Sequence, residues 1–403
     1  PIDCPVTVSL INKLQTKQRR GQKMNFSFTK EQELLKKLSK QFAENELKPI
    51  AAEVDETHVF PKESFRKMAN LGFTGIGIPK EFGGAEGGTL EKVIAVSEFA
   101  KVCMASAAIL SIHLIAPQAI YRYGNAEQKE KYLPRLTKGG ELGAFALTEP
   151  DAGSDAASAR TTAIFDEKTN EYVLNGTKCF ISGGSQAGVL IVFALTDPSK
   201  GIKGMSAIIV EKDTPGFHVG KVENKMGLGG SETAELIFEN CRVPAENLLG
   251  REGQGFKIAM QALDGARIGV GAQAVGVAEG AIELSVNYSK ERIQFGKPIA
   301  VLQGIQWYIA DMATKTEAAK ALVYYAAYLA DNGKPFTKEA AMCKLNASEN
   351  ARFVTNLAMQ IHGGYGYMKE YPLERMYRDA KITEIYEGTS EIHKVVIARA
   401  VMK

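Results

Sequence analysis

The chain is poor in the residues that would mark several classes of protein. Its 403 residues include five cysteines, Cys4, Cys103, Cys179, Cys241 and Cys343, with no C-x-x-C pair and no partnered histidine spacing. That pattern excludes a zinc ribbon and a disulfide framework, and fits a reducing compartment. No surplus of one charge exists: 49 basic residues face 46 acidic ones, a formal +3 spread along the chain. A broad electrostatic footprint for nucleic acid is therefore missing. Long apolar runs are missing too. The most apolar stretch, Val102 to Pro117, is broken by serines and a histidine, and predicts a buried helix rather than a membrane span. No low-complexity tract and no internal repeat stands out.

What is present is a globular balance, 45% hydrophobic and 24% charged, on a chain long enough for two or three packed units. Residues 1–23 differ from the rest, since Lys13, Lys17, Arg19, Arg20 and Lys23 face a single acid, Asp3. This leader reads as tag or upstream sequence before a natural start at Met24, or else as a transit-like segment. From 24 to 141 the pattern is helical. Leu34, Leu35, Leu38, Phe42 and Leu47 recur near the 3.6 period, and after the break "PKEFGGAEGG" Thr89 is expected to cap the next helix.

Between 142 and 254 the texture becomes short β-type runs, "EYVLNG", "VLIVFAL", "MSAIIV" and "AELIFEN", separated by the turn clusters "NGTK", "SGGSQ", "DPSKG" and "DTPG". No βαβ alternation appears, which removes the usual setting for a dinucleotide on a Rossmann sheet. "GLGGSE" at 227–232 lacks the strand and helix of a phosphate loop and reads as a turn. Helices return over 255–403. The first carries Gly265, Gly269, Gly271, Gly276 and Gly280, each costing about 1 kcal/mol against alanine, so close helix approach must compensate. The fold expected is mainly α with a central β domain: an N-terminal helical domain, a middle β-barrel-like domain and a C-terminal four-helix bundle.

Three stretches carry chemistry. In "KITEIYEGTSEIHKVV", 381–396, Glu387 projects from a short linker, Gly388 permits unusual backbone angles and Thr389 is a good N-cap. Taken alone, such a carboxylate reads as a capping or surface acid beside a positive helix end. In "ALTEPDAGSDAAS", 146–158, small residues around Gly153 allow close backbone approach to a ligand, while Thr148 and Ser154 offer hydroxyls. An ordinary Asx or Ser turn fits that stretch equally well. The third, "QIHGGYGYMKEYPLERMYRD", spans 360–379.

In this order and on this helix/β/helix layout, the three stretches resemble the acyl-CoA dehydrogenase family, over about 24–403. The resemblance implies FAD-dependent α,β-dehydrogenation of an acyl-CoA, or the reverse enoyl-CoA reduction. Glu387 would take the pro-R α-proton as the β-hydrogen leaves as hydride to flavin N5, a task suited to a carboxylate made more basic by a dry pocket. The thioester carbonyl would be held by the Glu387 backbone N–H and a flavin ribityl hydroxyl, an oxyanion-hole arrangement. By the same resemblance FAD would lie near Phe145, Leu147, Thr148, Gly153 and Ser154, with Phe180, Ile181 and Ser182 behind the ring. Arg292, Phe295, Gln303, Gln360, Gly363 and Gly364 would reach the pyrophosphate and adenosine of FAD in a neighbouring subunit, and Thr389, Ser390 and Glu391 would add further cofactor contacts. Ser154, Asp264, Arg267, Tyr386 and Gly388 would contact the CoA thioester. No metal is implied.

Within the family, relatives that carry their base in the helix have it at the position of Ala266, which leaves Glu387 and a straight-chain substrate. Glutaryl-type members need a basic residue that "CMASAAILS" does not offer. The texture is closest to short-chain, butyryl-CoA-type enzymes. Gly229 stands where many relatives have arginine. The implied partners are electron-transfer flavoprotein and further copies of the chain, in a tetramer built as a dimer of dimers. The implied setting is a bacterial cytoplasm, or a mitochondrial matrix if 1–23 is a transit segment. An enoyl-CoA reductase for another acyl group, such as an aryl-propenoyl, and a non-catalytic CoA-thioester-binding homologue remain alternatives.

Overall fold

A computed structural model describes residues 27–403 of the chain, so the basic leader lies outside the described residues. The first helix, α1 (Lys30–Phe42), starts at a capping box in which Thr29 accepts from the Gln32 N–H and Gln32 reaches back to the Thr29 N–H. Six more helices follow: α2 (Ala51–Thr57), α3 (Lys62–Asn70), α4 (Thr89–Ala100), α5 (Met104–His113), α6 (Ile115–Tyr123) and α7 (Ala126–Thr137). The apolar stretch around Val102–Pro117 forms α5 and the start of α6, within a window that is 89% buried inside the protein. Thr89 does not cap α4. Gly88 holds the N-cap position with Glu91 closing back on its N–H, and the Asp331 carboxylate accepts from the N–H groups of Thr89 (2.6 Å) and Leu90 (3.0 Å). A distant helix supplies the anion that the α4 N-terminus needs.

Strands β1 (Leu142–Ala146), β2 (Thr162–Asp166), β3 (Glu171–Ser182), β4 (Ala187–Leu195), β5 (Met205–Glu211), β6 (Phe217–Val222), β7 (Thr233–Pro244) and β8 (Leu248–Leu249) form one mixed sheet. Its order is β6-β7-β3-β2-β4-β5-β8, and β1 pairs parallel with β4. "NGTK" is not a turn: β3 runs through it, paired with β7, and absorbs Gly176 (φ 145°) as an irregularity in register. Along β4, Val189, Ile191 and Phe193 face the core beneath α6 and α7, whereas Leu190, Val192 and Ala194 face the core on the opposite side of the sheet. Burial on both faces explains why "VLIVFAL" is a continuous apolar run rather than an alternating one.

The chain then enters α8 (Gly255–Glu291), 37 residues and about 55 Å long. A two-stranded hairpin, β9 (Ile293–Gln294) and β10 (Lys297–Pro298), leads to α9 (Gln303–Asp331) and α10 (Thr337–His362), which ends at Gly363 as expected. Two short helices close the chain, α11 (Leu373–Lys381) and α12 (Ser390–Val401). Residues of α1, α4 and α5 share one core with α8, α9 and α10, including Phe42, Phe99, Ile268, Val275, Val323 and Val354. "GLGG" packs as a tight buried turn: Leu228 donates to Asp379 at 2.6 Å, and a Cβ on Gly229 would meet the Asp55 carbonyl at 2.8 Å. There is no space at Gly229 for the arginine of other relatives.

Candidate active site

The loop between α11 and α12 makes two successive residues left-handed, Glu387 (φ 55°) and Gly388 (φ 100°). A non-glycine residue in that region costs roughly 1–3 kcal/mol, so its surroundings must hold it there. Two buried cations do so. Arg267, on α8, directs Nε at the Glu387 carbonyl (3.4 Å), and Lys344, on α10, donates from Nζ to the Gly388 carbonyl (2.6 Å). Arg267 is itself seated by Asp264 (2.7 Å), which also accepts from the Thr337 hydroxyl (2.6 Å). Thr389 caps α12 by accepting from the Ile392 N–H. Among the described residues, the Glu387 and Gly388 N–H groups have no acceptor.

Glu387 is half-buried, and its Oε2 atom is shut away from solvent with no hydrogen-bond partner. Burial raises its pKa above the ordinary carboxylate range, against the pull of Arg267, Lys344 and Lys92. Burial also depresses the two lysines, Lys344 to about 7 and Lys92 to about 8. His393 lies under the loop with both ring nitrogens unpartnered, held neutral by burial and by Lys344 and Arg267, its pKa near 3. Tyr386 donates its hydroxyl to Gln273 on α8. A buried, unpaired carboxylate oxygen among fixed cations, beside two open backbone donors, suits proton abstraction next to a polarised carbonyl.

A second group of residues lies where β1 leaves the sheet. Lys178 is fully buried and bridges the Leu147 carbonyl (3.0 Å) and Glu149 (2.7 Å), and Glu149 also accepts from the N–H groups of Arg160 and Thr161. The Cys179 N–H donates to the Thr148 carbonyl (2.9 Å). These bonds brace Leu147 and Thr148, while Gly153 and Ser154 stay exposed, with nothing within 4 Å of a Cβ on Gly153. Phe180 sits at a break in β3 register with φ 57° and is 65% exposed, so the bulge turns its ring out of the sheet. Ile181 points the other way and is 2% exposed in the sheet core, which leaves only its backbone for a ligand. Phe145 packs its ring 4.7 Å from that of Phe193, and Ser182 is half-buried at the strand end.

A third group surrounds a cavity of about 670 Å³ between the end of α8 and the end of α10. Arg292, Phe295, Gly363 and Gly364 line it, whereas Gln303 and Gln360 do not, and neither does Glu387. The Arg292 guanidinium lies 5.5 Å from the centre of the Tyr365 ring. A Cβ on Gly363 or Gly364 would meet nothing within 4 Å, a cradle open to a ligand backbone. Outside this cavity, Ser390 is buried beside the Glu387 loop with an unpartnered hydroxyl, and Glu391 is exposed. An anionic dinucleotide fits the chemistry of the cavity: a cation, open glycines and an exposed aromatic face.

Sequence reasoning missed Lys92, Lys344, Lys178, Glu149, Gln273 and His393. A signal existed for Lys344: on "KEAAMCKLNASENA" it falls among Ala340, Ala341, Ala347 and Ala351 on the buried face of α10, where a lysine has no ordinary reason to be.

Three family models match the chain: the acyl-CoA dehydrogenase N-terminal domain over 29–188, the middle domain over 144–241 and the C-terminal domain over 253–402. An acryloyl-CoA reductase (NADH) of Anaerotignum propionicum is 80% identical over 97% of this chain and 99% of its own length. The butyryl-CoA dehydrogenase structure from Megasphaera elsdenii superposes with a TM-score of 0.92 at 47% identity, over 94% of this chain and 100% of that one. A chain solved in work on the electron transferring flavoprotein of Acidaminococcus fermentans, towards a mechanism of flavin-based electron bifurcation, superposes at 0.93 with 50% identity and the same coverage.

Proposed function

The chain belongs to the acyl-CoA dehydrogenase family, as an FAD-dependent enzyme acting on the CH–CH group of an acyl-CoA, and we propose that it interconverts a short-chain acyl-CoA and its 2-enoyl-CoA with Glu387 as the proton-transferring group. The observation that carries this reading is the Glu387 carboxylate itself, held on a left-handed turn with Oε2 dry and unpaired. In the oxidative direction it removes the α-proton, and in the reductive direction it returns it. The open N–H of Glu387 is the donor for the thioester carbonyl, and Arg267 and Lys344 keep the neighbouring peptide units from turning. Bound FAD supplies the two-electron exchange. Phe145, Leu147, Thr148, Gly153, Ser154, Phe180 and Ser182 would hold its ring side. Arg292, Phe295, Gly363 and Gly364 would take its adenosine and pyrophosphate from a neighbouring subunit of a tetramer.

The acryloyl-CoA reductase relative supports a three-carbon acyl group and reduction as the working direction. The described sheet has no βαβ unit to take a nicotinamide dinucleotide. The electrons are therefore assigned to an electron-transferring flavoprotein, a reading the Acidaminococcus fermentans structure supports. The Anaerotignum propionicum relative supports a bacterial cytoplasm as the setting.

The test is Glu387→Gln. It should keep the yellow cofactor and bind propionyl-CoA, yet slow flavin bleaching by roughly 10²–10⁴-fold or more. Bleaching at a near-normal rate would remove Glu387 from the chemistry.

A further inference from the structure

Lys92 lies on α4, where every residue from Lys92 to Ala100 is buried, and is itself 2% exposed. Among the described residues it forms no salt bridge; its ammonium donates to the Gly265 carbonyl at 2.9 Å. A lysine buried without a carboxylate partner is rare, because the desolvated charge is poorly compensated. Its surroundings give it a place in the reaction. Gly265 immediately precedes Ala266 and Arg267, and Arg267 reaches the Glu387 carbonyl, so the ammonium sits against the stretch of α8 that supports the proton-transferring loop. The charges of Glu387 and Asp331 both act on it, and both favour its charged form.

The packing shows which space the side chain occupies. A Cβ built on Gly269 would lie 3.6 Å from Lys92 Cε and 3.7 Å from Nζ, and 2.4 Å from the Ser111 hydroxyl of α5. The end of the lysine is therefore wedged at the junction of α4, α5 and α8. Beside it, a Cβ on Gly265 would meet nothing within 4 Å. Gly265 and Gly269 lie one turn apart on the same face of α8, so open space over Gly265 adjoins the end of the lysine, and the packing around Gly269 and Ser111 closes it on the other side.

We propose that Lys92 is a specificity residue: its side chain ends the space available to the acyl group, confining the substrate to acyl chains of about three to four carbons. This rests on the reading that the acyl group lies beside Glu387. Two effects combine. The methylene stem fills volume that a longer chain would need, and an apolar tail pressed against the ammonium would bury a charge without giving it a partner. A short acyl group reaches neither.

The test is a chain-length series of flavin bleaching with propionyl-, butyryl- and hexanoyl-CoA on the FAD-loaded enzyme. The wild type should fall at least tenfold in kcat/KM from propionyl- to hexanoyl-CoA. Lys92→Ala should raise the hexanoyl-to-propionyl ratio at least tenfold by opening the space. Lys92→Met, of similar length and without charge, should keep the wild-type ratio if volume dominates, and a ratio intermediate between wild type and alanine would assign part of the barrier to the charge. Should the alanine variant fail to fold, a wild type that prefers hexanoyl-CoA still overturns the proposal, as does a folded Lys92→Ala with an unchanged ratio. A merely structural lysine would alter stability and leave the ratio where it was. Failure of the underlying reading appears elsewhere, as a Glu387→Gln enzyme that still bleaches.

Discussion

At the scale of single residues, the proposed chemistry turns on the charge of one carboxyl group. Burial raises the Glu387 pKa, and Arg267, Lys344 and Lys92 hold that rise in check. Only the ionised form can accept a proton, so acyl-CoA oxidation should increase as pH rises through this raised value. Enoyl-CoA reduction needs the protonated form and should decrease over the same interval. Lys344, depressed to about 7, loses its charge near neutrality and so weakens its hold on the carboxylate as pH rises. Lys344→Met removes a cation that favours ionisation, so the acid limb of oxidation should move to higher pH. The Gly388 carbonyl also loses a charge-assisted donor worth about 1.5–3 kcal/mol, but the desolvation that depresses the lysine is relieved at the same time, so the folded protein should lose less stability than that figure. A pH profile of flavin bleaching alongside denaturant titration checks both, and an acid limb unmoved by the substitution would show that the lysine does not act on the base. The loop carrying Glu387 was legible from "YEGTS" only in company with the stretches at 146–158 and 360–379. The lysines around it were not, because their burial comes from helices distant in sequence.

Elements obey their local patterns until a neighbour overrules them. The glycines of α8 illustrate both outcomes. A Cβ on Gly276 would stand 2.3 Å from the Ser97 carbonyl and one on Gly280 2.3 Å from that of Lys101, so α4 and its C-terminal end pack on bare backbone as the sequence implied. Gly265 departs from that expectation, with nothing within 4 Å. Gly276→Ala should therefore be destabilising, because overpacking of about 1–3 kcal/mol exceeds the roughly 1 kcal/mol gained in helix propensity. Gly265→Ala has no clash to offset that gain and should be neutral or stabilising. Calorimetric midpoints that shift alike for the two would contradict this account. Two other local readings failed for related reasons. Asn175 and Gly176 have the chemistry of a hairpin turn, yet pairing of β3 with β7 carries the strand through them. Thr89 has the chemistry of a cap, yet the Asp331 carboxylate takes over the helix N-terminus from another part of the chain.

For the whole molecule, the cavity between the ends of α8 and α10 lies away from Glu387, and its lining residue Phe295 is 88% exposed. Trp307 and Tyr367 are also exposed, at 61% and 77%. Large aromatic residues left open on a folded chain fit a surface covered by another subunit. Arg292→Ala should then weaken FAD retention and subunit association together, read by the flavin-to-protein absorbance ratio and by sedimentation velocity. A fully flavinylated tetramer from that variant would separate the cavity from the subunit interface.

Local sequence was enough to place the helical and β regions, because periodicity and turn chemistry act over a few residues, while the roles proposed for the Glu387 loop and the cofactor stretches came from the resemblance of three motifs taken together. Tertiary packing alone decided that Oε2 of Glu387 is dry, that Lys344 and Arg267 hold its loop, and that Lys92 stands at the junction of α4, α5 and α8. Desolvation is a property of everything that surrounds a group, and residues 92, 267, 344 and 387 meet only once the helices that carry them have packed.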